Sequence, residues 1–175
     1  MRTVTYGGAN TLDNYIARSD GSFDWILESG EAMVHLADYW KTIDTIVMGR
    51  KTYEVSLKHD PNGGAYPGVT NYVFSKTLPP GPIKGGEITN ADVVDFVREL
   101  KAKPGKGIFL MGGGELARPV LEAGLVDELN LCIQPLLLGS GVPLFHPMKR
   151  QMDLELKECK AFQNGCVMVT YRVTH

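Results

Sequence analysis

The sequence predicts an α/β domain on a mixed, mostly parallel sheet flanked by helices, closed by a C-terminal antiparallel hairpin. Three observations predict it. Strand-like apolar runs alternate with segments of helical period from residue 2 to about residue 124. Two of these runs lead straight into glycine-bearing helix starts, Thr45-Ile46-Val47-Met48-Gly49-Arg50-Lys51-Thr52 and Ile108-Phe109-Leu110-Met111-Gly112-Gly113-Gly114-Glu115. The last stretch alternates apolar and polar residues on either side of Asn164-Gly165, a pair suited to a tight hairpin turn. At 175 residues the chain reads as one domain, 1–175, with one substantial core.

Residues 2–9 read as the first strand, and Leu12 to Ser22 as a turn-rich loop over the core. A helix is expected near 30–41, with Met33, Leu36, Ala37 and Trp40 on one face. Strand 44–49 then leads to a short helix over about 50–57. The tract from His59 to Gly68 is broken by glycine and proline, and reads as a lid or as a plain connection. Strands follow at 70–75 and near 86–89. Asn90 is the expected N-cap of a helix that buries Val93, Phe96, Val97 and Leu100 and stops at Pro104-Gly105. After strand 106–111 a further helix runs to about 124, its regular part beginning near Ala117 because Pro119 would break a longer one. Leu129, Leu131 and Ile133 mark a half-buried strand. Met152, Leu154 and Leu156, then Val167, Val169, Tyr171 and Val173, mark the hairpin.

Eighteen basic against 20 acidic residues, a formal net charge of −2, argue against a general binder of nucleic acid or anionic membranes, which needs a basic face, but leave room for one small basic pocket. No run approaches the ~20 apolar residues of a membrane span, and the first residues lack a signal-like apolar stretch. Cys132, Cys159 and Cys166 form no CxxC pair and no complete disulfide set. His59, His146 and His175 share no metal-ligand spacing with cysteines or carboxylates, so no metal is expected. The expected setting is cytoplasmic. The apolar run from Leu136 to Phe145 reads either as core or as the interface of a homodimer.

The chemistry lies at the two glycine junctions. The first helical turn presents unpaired N–H groups and the positive end of the helix dipole, and missing β-carbons let an anion approach the backbone. Two such turns, the first carrying Arg50 and Lys51, point to a ligand with several phosphates. Gly112-x-Gly114-x-x-Ala117 fits the dinucleotide fingerprint formally, but it is not on the first βα turn, and Asp127 and Glu128 come before the expected ~20-residue spacing. Arg50-Lys51-Thr52 lacks the upstream glycine of a nucleoside-triphosphate loop. Ser75 and Lys76, at another strand's carboxyl end, either complete a phosphate pocket with Arg50 or form an ordinary loop. Asp24, Glu28 and Glu31 surround Trp25 in sequence. A carboxyl desolvated against an aromatic ring can donate a proton near neutral pH, which makes Glu28 and Glu31 the catalytic candidates; simple helix-start acidity is the alternative.

Val47-Met48-Gly49-Arg50-Lys51-Thr52-Tyr53-Glu54, Met111-Gly112-Gly113-Gly114-Glu115 and Gly124-Leu125-Val126-Asp127-Glu128-Leu129 resemble the motifs of dihydrofolate reductases. Leu12-Asp13-Asn14-Tyr15-Ile16-Ala17 and the segment from Pro135 to Phe145 look more like a sister branch, the reductase (RibD C-terminal) domain of riboflavin-biosynthesis proteins and its stand-alone relatives. The resemblance spans almost the whole chain. It implies a dihydrofolate reductase-like sheet and NADPH lying across the strand ends. Gly49, Arg50, Lys51 and Thr52 would hold one side of the cofactor, and Gly112, Gly113, Gly114, Glu115 and Leu116 the other. Arg50 and Ser75 would face the 2′-phosphate, with Ala9 and Ile16 flanking the nicotinamide. The implied activity is hydride transfer to a pyrimidine, pterin or related heterocycle, as in 5-amino-6-(5-phosphoribosylamino)uracil reductase. Dihydrofolate reduction and a non-catalytic NADP-binding module are the alternatives. Two departures stand out: the segment before the first helix differs in length from the dihydrofolate type, and no zinc deaminase pattern is present.

Overall fold

The computed structural model describes residues 1–27, 30–59 and 66–174, so Glu28 and residues 60–65 of the glycine-rich tract lie outside it. At the centre of a nine-stranded sheet is β1 (Val4–Thr11), parallel to β7 (Gly107–Met111) on one side and β8 (Glu128–Gln134) on the other. Beyond β7 come β3 (Ile43–Gly49), β4 (Thr70–Phe74) and β6 (Gly86–Thr89), all parallel, with β5 (Gly81–Ile83) antiparallel at that edge. Beyond β8 the sheet turns antiparallel through β11 (Val167–Thr174) to β10 (Asp153–Ala161). A separate small ribbon pairs β2 (Tyr15–Ala17) with β9 (Val142–Pro143).

The period of two along each strand sends alternate side chains to opposite faces. Val4, Tyr6, Val47, Ile108 and Leu110 meet α3 (Val93–Ala102) and α4 (Gly114–Glu122) through Val97, Leu100, Ala117, Val120 and Leu121. Ile46, Met48, Val73 and Phe109 meet Tyr39 and Trp40 of α1 (Gly30–Trp40) and Tyr53 of α2 (Arg50–His59). Burial on both faces explains why Ile46-Val47-Met48 is an unbroken apolar run. Arg2 fastens the amino ends of the strands: its buried guanidinium pairs with Asp44, donates to Thr45 Oγ1 at 2.7 Å and, through Nε, to the Lys106 carbonyl at 2.7 Å. Among the described residues no helix is long and apolar enough to cross a membrane.

Several local expectations are corrected. Strand one runs to Thr11, because parallel pairing with β8 continues to Gln134. The cap of α3 is Asp92, whose carboxylate accepts the Val94 and Asp95 N–H groups at 2.9 and 3.0 Å, rather than Asn90. Helix α4 begins at Gly114, three residues before the expected start, and carries Pro119 inside. Its buried stripe of Ala117, Val120 and Leu121 offsets the one backbone bond that the proline removes. Helix α1 forms, yet buries no residue fully. Met33 and Val34 are 57% and 66% exposed, and its C-terminal aromatics make the sheet contact.

Candidate functional site

Strands β3 and β7 are neighbours with Met48 opposite Met111, so α2 and α4 start side by side. The turn between β7 and α4 closes directly on the first turn of α2. A β-carbon on Gly112, whose φ is +109°, would come within 2.1 Å of Thr52 Oγ1. On Gly114 it would come within 2.5 Å of the Leu144 carbonyl. Packing therefore demands both glycines. It does not demand the other two: a β-carbon on Gly113 would meet nothing nearer than 3.5 Å, and one on Gly49 nothing within 4 Å. The backbone at Gly49 thus faces open space beside its helix start, the arrangement that admits an anion, whereas a β-carbon on Gly113 would sit in ordinary contact with Val142, Ile16 and the Pro143 carbonyl. Lys51 and Glu115 reach across from one helix start to the other, at 3.8 Å and largely in solvent.

Tyr6, buried on β1, props this turn from below. Its hydroxyl donates to the Leu144 carbonyl at 2.5 Å and lies 3.2 Å from the Gly112 carbonyl; burial pushes its phenol well above the ordinary value.

In front of the strand ends lies a cleft of about 1010 Å³. Ile16 and Ala17 of β2 form one wall, continued by Asp20 and Phe23 of the loop that follows. Thr52, Val55, Ser56 and His59 form the other, one face of α2 at i, i+3, i+4 and i+7. Met111 and Val142 also line it, and Tyr66 and Pro67 stand beside α2. The Phe23 and His59 rings meet with centroids 4.8 Å apart.

One carboxylate clasps the β2 wall in place. Asp13 accepts the Thr11 hydroxyl at 2.6 Å and the Leu138 and Gly139 N–H groups at 3.0 and 2.7 Å. The Leu144 N–H adds a bond to the Asn14 carbonyl at 2.9 Å. The Thr11 hydroxyl, then the two backbone donors, hold the Asp13 carboxyl below its ordinary range. Asp20 is lowered likewise, first by the Ser22 hydroxyl and then by the Ser22 N–H.

Of the residues singled out in the sequence, Ile16, Lys51 and Thr52 line the cleft, and Gly112 and Gly113 adjoin it through Thr52, Ile16 and Val142. Glu115 stands at the Lys51 bridge, whereas Leu116 packs against the core. Ala9 is half-buried on β1 opposite Cys132. Arg50 donates to Glu54 at 2.7 Å, one turn along α2. Ser75 is 6% exposed, and its Oγ accepts the Thr77 and Leu78 N–H groups at 3.1 and 2.8 Å, an ordinary turn from which Lys76 projects into solvent. Glu31 is apart from all of these: it lies at the start of α1, 3.2 Å from Lys160, and does not line the cleft. Glu28 falls outside the described residues. The sequence reading missed Phe23, Val55, His59, Tyr66 and Val142. Only the i, i+3, i+7 spacing of Thr52, Val55 and His59 signalled any of them.

The family model of the RibD C-terminal domain matches residues 2–168. The uncharacterized protein YwjB of Bacillus subtilis (strain 168) is 36% identical over 164 residues, covering 92% of each chain. A Shewanella sp. PV-4 protein described as a candidate riboflavin biosynthesis protein superposes over 100% of both chains with a TM-score of 0.85 and 25% identity. Dihydrofolate reductase from Enterococcus faecalis, complexed with NADP(H), superposes with a TM-score of 0.73 at 17% identity, covering 99% of this chain and 97% of that one.

Proposed function

The chain belongs to the RibD C-terminal domain family, and from that premise we propose that its 175 residues form one NADPH-dependent reductase domain acting on a pyrimidine, pterin or related heterocycle. The observation that carries this reading is the joining of two helix starts at Gly112 and Thr52, with open space off the backbone at Gly49 and no clash at Gly113. That geometry fits a diphosphate: the N–H groups of both first turns, with Lys51, would hold it. Arg50 would grip a ribose 2′-phosphate by exchanging its bond from Glu54. Bound NADPH supplies the hydride. Ile16, Met111 and Val142 would shield the reacting ring from water, and Thr52 offers a hydroxyl beside it. The exposed Leu137, on the segment that Asp13 clasps, supports a homodimer contact.

Purified protein, NADPH and a panel of pteridines and aminopyrimidines test the reading: at least one should drive NADPH oxidation. A second reading, an NADP-binding module without turnover, is favoured by the placement of Glu31 against Lys160, outside the cleft. Tight NADPH binding with no oxidation across the panel would select it.

A further inference from the structure

We propose that Cys132 and Cys166 form a modification site, which a hydroperoxide converts into an intramolecular disulfide, and that Gln134 passes the change to the chain in front of α1. Neither thiol has a part in the reductase reading above.

Strand register brings the two sulfurs together. Cys132 on β8 lies opposite Met168 of β11. Cys166 comes two residues before Met168 and just ahead of that ladder, so the period of two sends both cysteines to one face. There they pack in one cluster with Phe162, Met168 and Ala32 of α1. The buried Gln134 carboxamide joins them: its Oε1 accepts the Cys166 S–H at 3.2 Å, and its Nε2 donates to Cys132 Sγ at 3.4 Å. The thiols also share a hydrogen bond with each other. Cys166 follows directly on the Asn164-Gly165 turn, where the backbone can make the small shift that a bridge between diagonal strand positions needs.

Access and acidity set the order of events. Cys166 is 1% exposed and Cys132 half-buried, so the oxidant reaches Cys132. Burial raises both thiols, which keeps the reaction slow and leaves the pair reduced until a hydroperoxide is supplied. The Cys132 sulfur breaks the O–O bond and keeps one oxygen as a sulfenic acid; the other leaves with the Cys132 proton, as water from hydrogen peroxide or as an alcohol. The Cys166 sulfur then attacks, the S–S bond forms and the S–O bond breaks. The hydroxyl leaves as water with the Cys166 proton. Two thiols are oxidised and one peroxide is reduced.

The disulfide takes away the S–H that Gln134 accepts. The same Gln134 oxygen accepts the Leu27 N–H at 2.9 Å. Just before Leu27, the Ile26 N–H donates to the carbonyl of Phe23, a cleft residue, at 3.3 Å. Oxidation therefore loosens a tie between β8 and the cleft wall.

Full-length Cys159→Ser protein, which lacks the exposed third thiol, tests this with hydrogen peroxide. Its intact mass should fall by about 2 Da, the two hydrogens lost. Digestion without reductant should release a peptide linking Cys132 to Cys166, and dithiothreitol should make both thiols alkylatable again. In two-dimensional NMR the Leu27 amide proton should move upfield on oxidation as its hydrogen bond is lost. The Asp127 amide, bonded to the Val4 carbonyl at the far end of β1, should stay where it is. Cys166→Ala in the same background should give a dimedone-reactive Cys132 and no loss of mass. The proposal is overturned if peroxide leaves both thiols alkylatable, if it oxidises them without joining them, or if the link forms and the Leu27 amide does not move.

Discussion

Gly112 and Gly113 are adjacent, yet packing requires only the first, so the pair can separate the needs of the fold from those of the proposed cofactor. Gly112→Ala would place a β-carbon 2.1 Å from Thr52 Oγ1 at a positive φ, so unfolding in urea should show a loss of more than about 2 kcal/mol. Gly113 has ordinary φ and ψ of −76° and 162° and no neighbour within 3.5 Å of an added β-carbon. Gly113→Ala should therefore leave stability within about 1 kcal/mol of the wild type, while weakening NADPH binding in the same preparation. A Gly113→Ala protein that binds NADPH normally would remove the close backbone approach. Tyr6→Phe, by deleting the bond to the Leu144 carbonyl, should cost about 1–2 kcal/mol in the same unfolding assay. The glycine run was legible in the sequence as a strand-to-helix turn, but not which of its glycines packing requires, because which β-carbon collides depends on Thr52 and Leu144 arriving from elsewhere. Glu31 illustrates the converse. Its neighbourhood to Trp25 in sequence suggested a desolvated acid, but its partner in space is Lys160 on β10.

Most strands and helices of the main sheet were legible because their apolar periods repeat over several residues; the three-residue edge strand β5, which includes Gly81 and Pro82, was not. The β2–β9 ribbon was not: two and three residues carry no period, and each finds its partner more than 120 positions away. Asp13 makes that distant pairing persist, which gives the clasp a pH dependence. Its carboxyl is lowered in the folded protein, so its contribution is complete above the ordinary carboxylate value of about 4 and is lost as pH falls through the lower folded value. The Leu138 and Gly139 amide resonances should shift together in that acid range in two-dimensional NMR. In Asp13→Asn they should differ from wild type at neutral pH and lose this titration. Amides that titrate identically in both proteins would deny Asp13 the role.

Across the whole molecule, the order of strands places β1 between β7 and β8 and brings helix starts from residues 50 and 114 to one rim. Alternation of strand and helix predicted the architecture, and the rule that ligands bind beyond parallel strand ends predicted the rim. It did not predict how far the cleft extends along α2, since Phe23 and Tyr66 come from segments without regular structure. The account turns on whether that rim holds a nicotinamide dinucleotide bearing a 2′-phosphate. Fluorescence titration with NADPH and NADH, on the wild type and Arg50→Ala, asks this most directly. Wild type should prefer NADPH by about ten-fold, and Arg50→Ala should lose about 1.5 kcal/mol of NADPH affinity, at the low end for a charged hydrogen bond because Glu54 competes for the arginine. NADH binding should scarcely change. Equal affinity for the two dinucleotides, or binding of neither, would contradict the account.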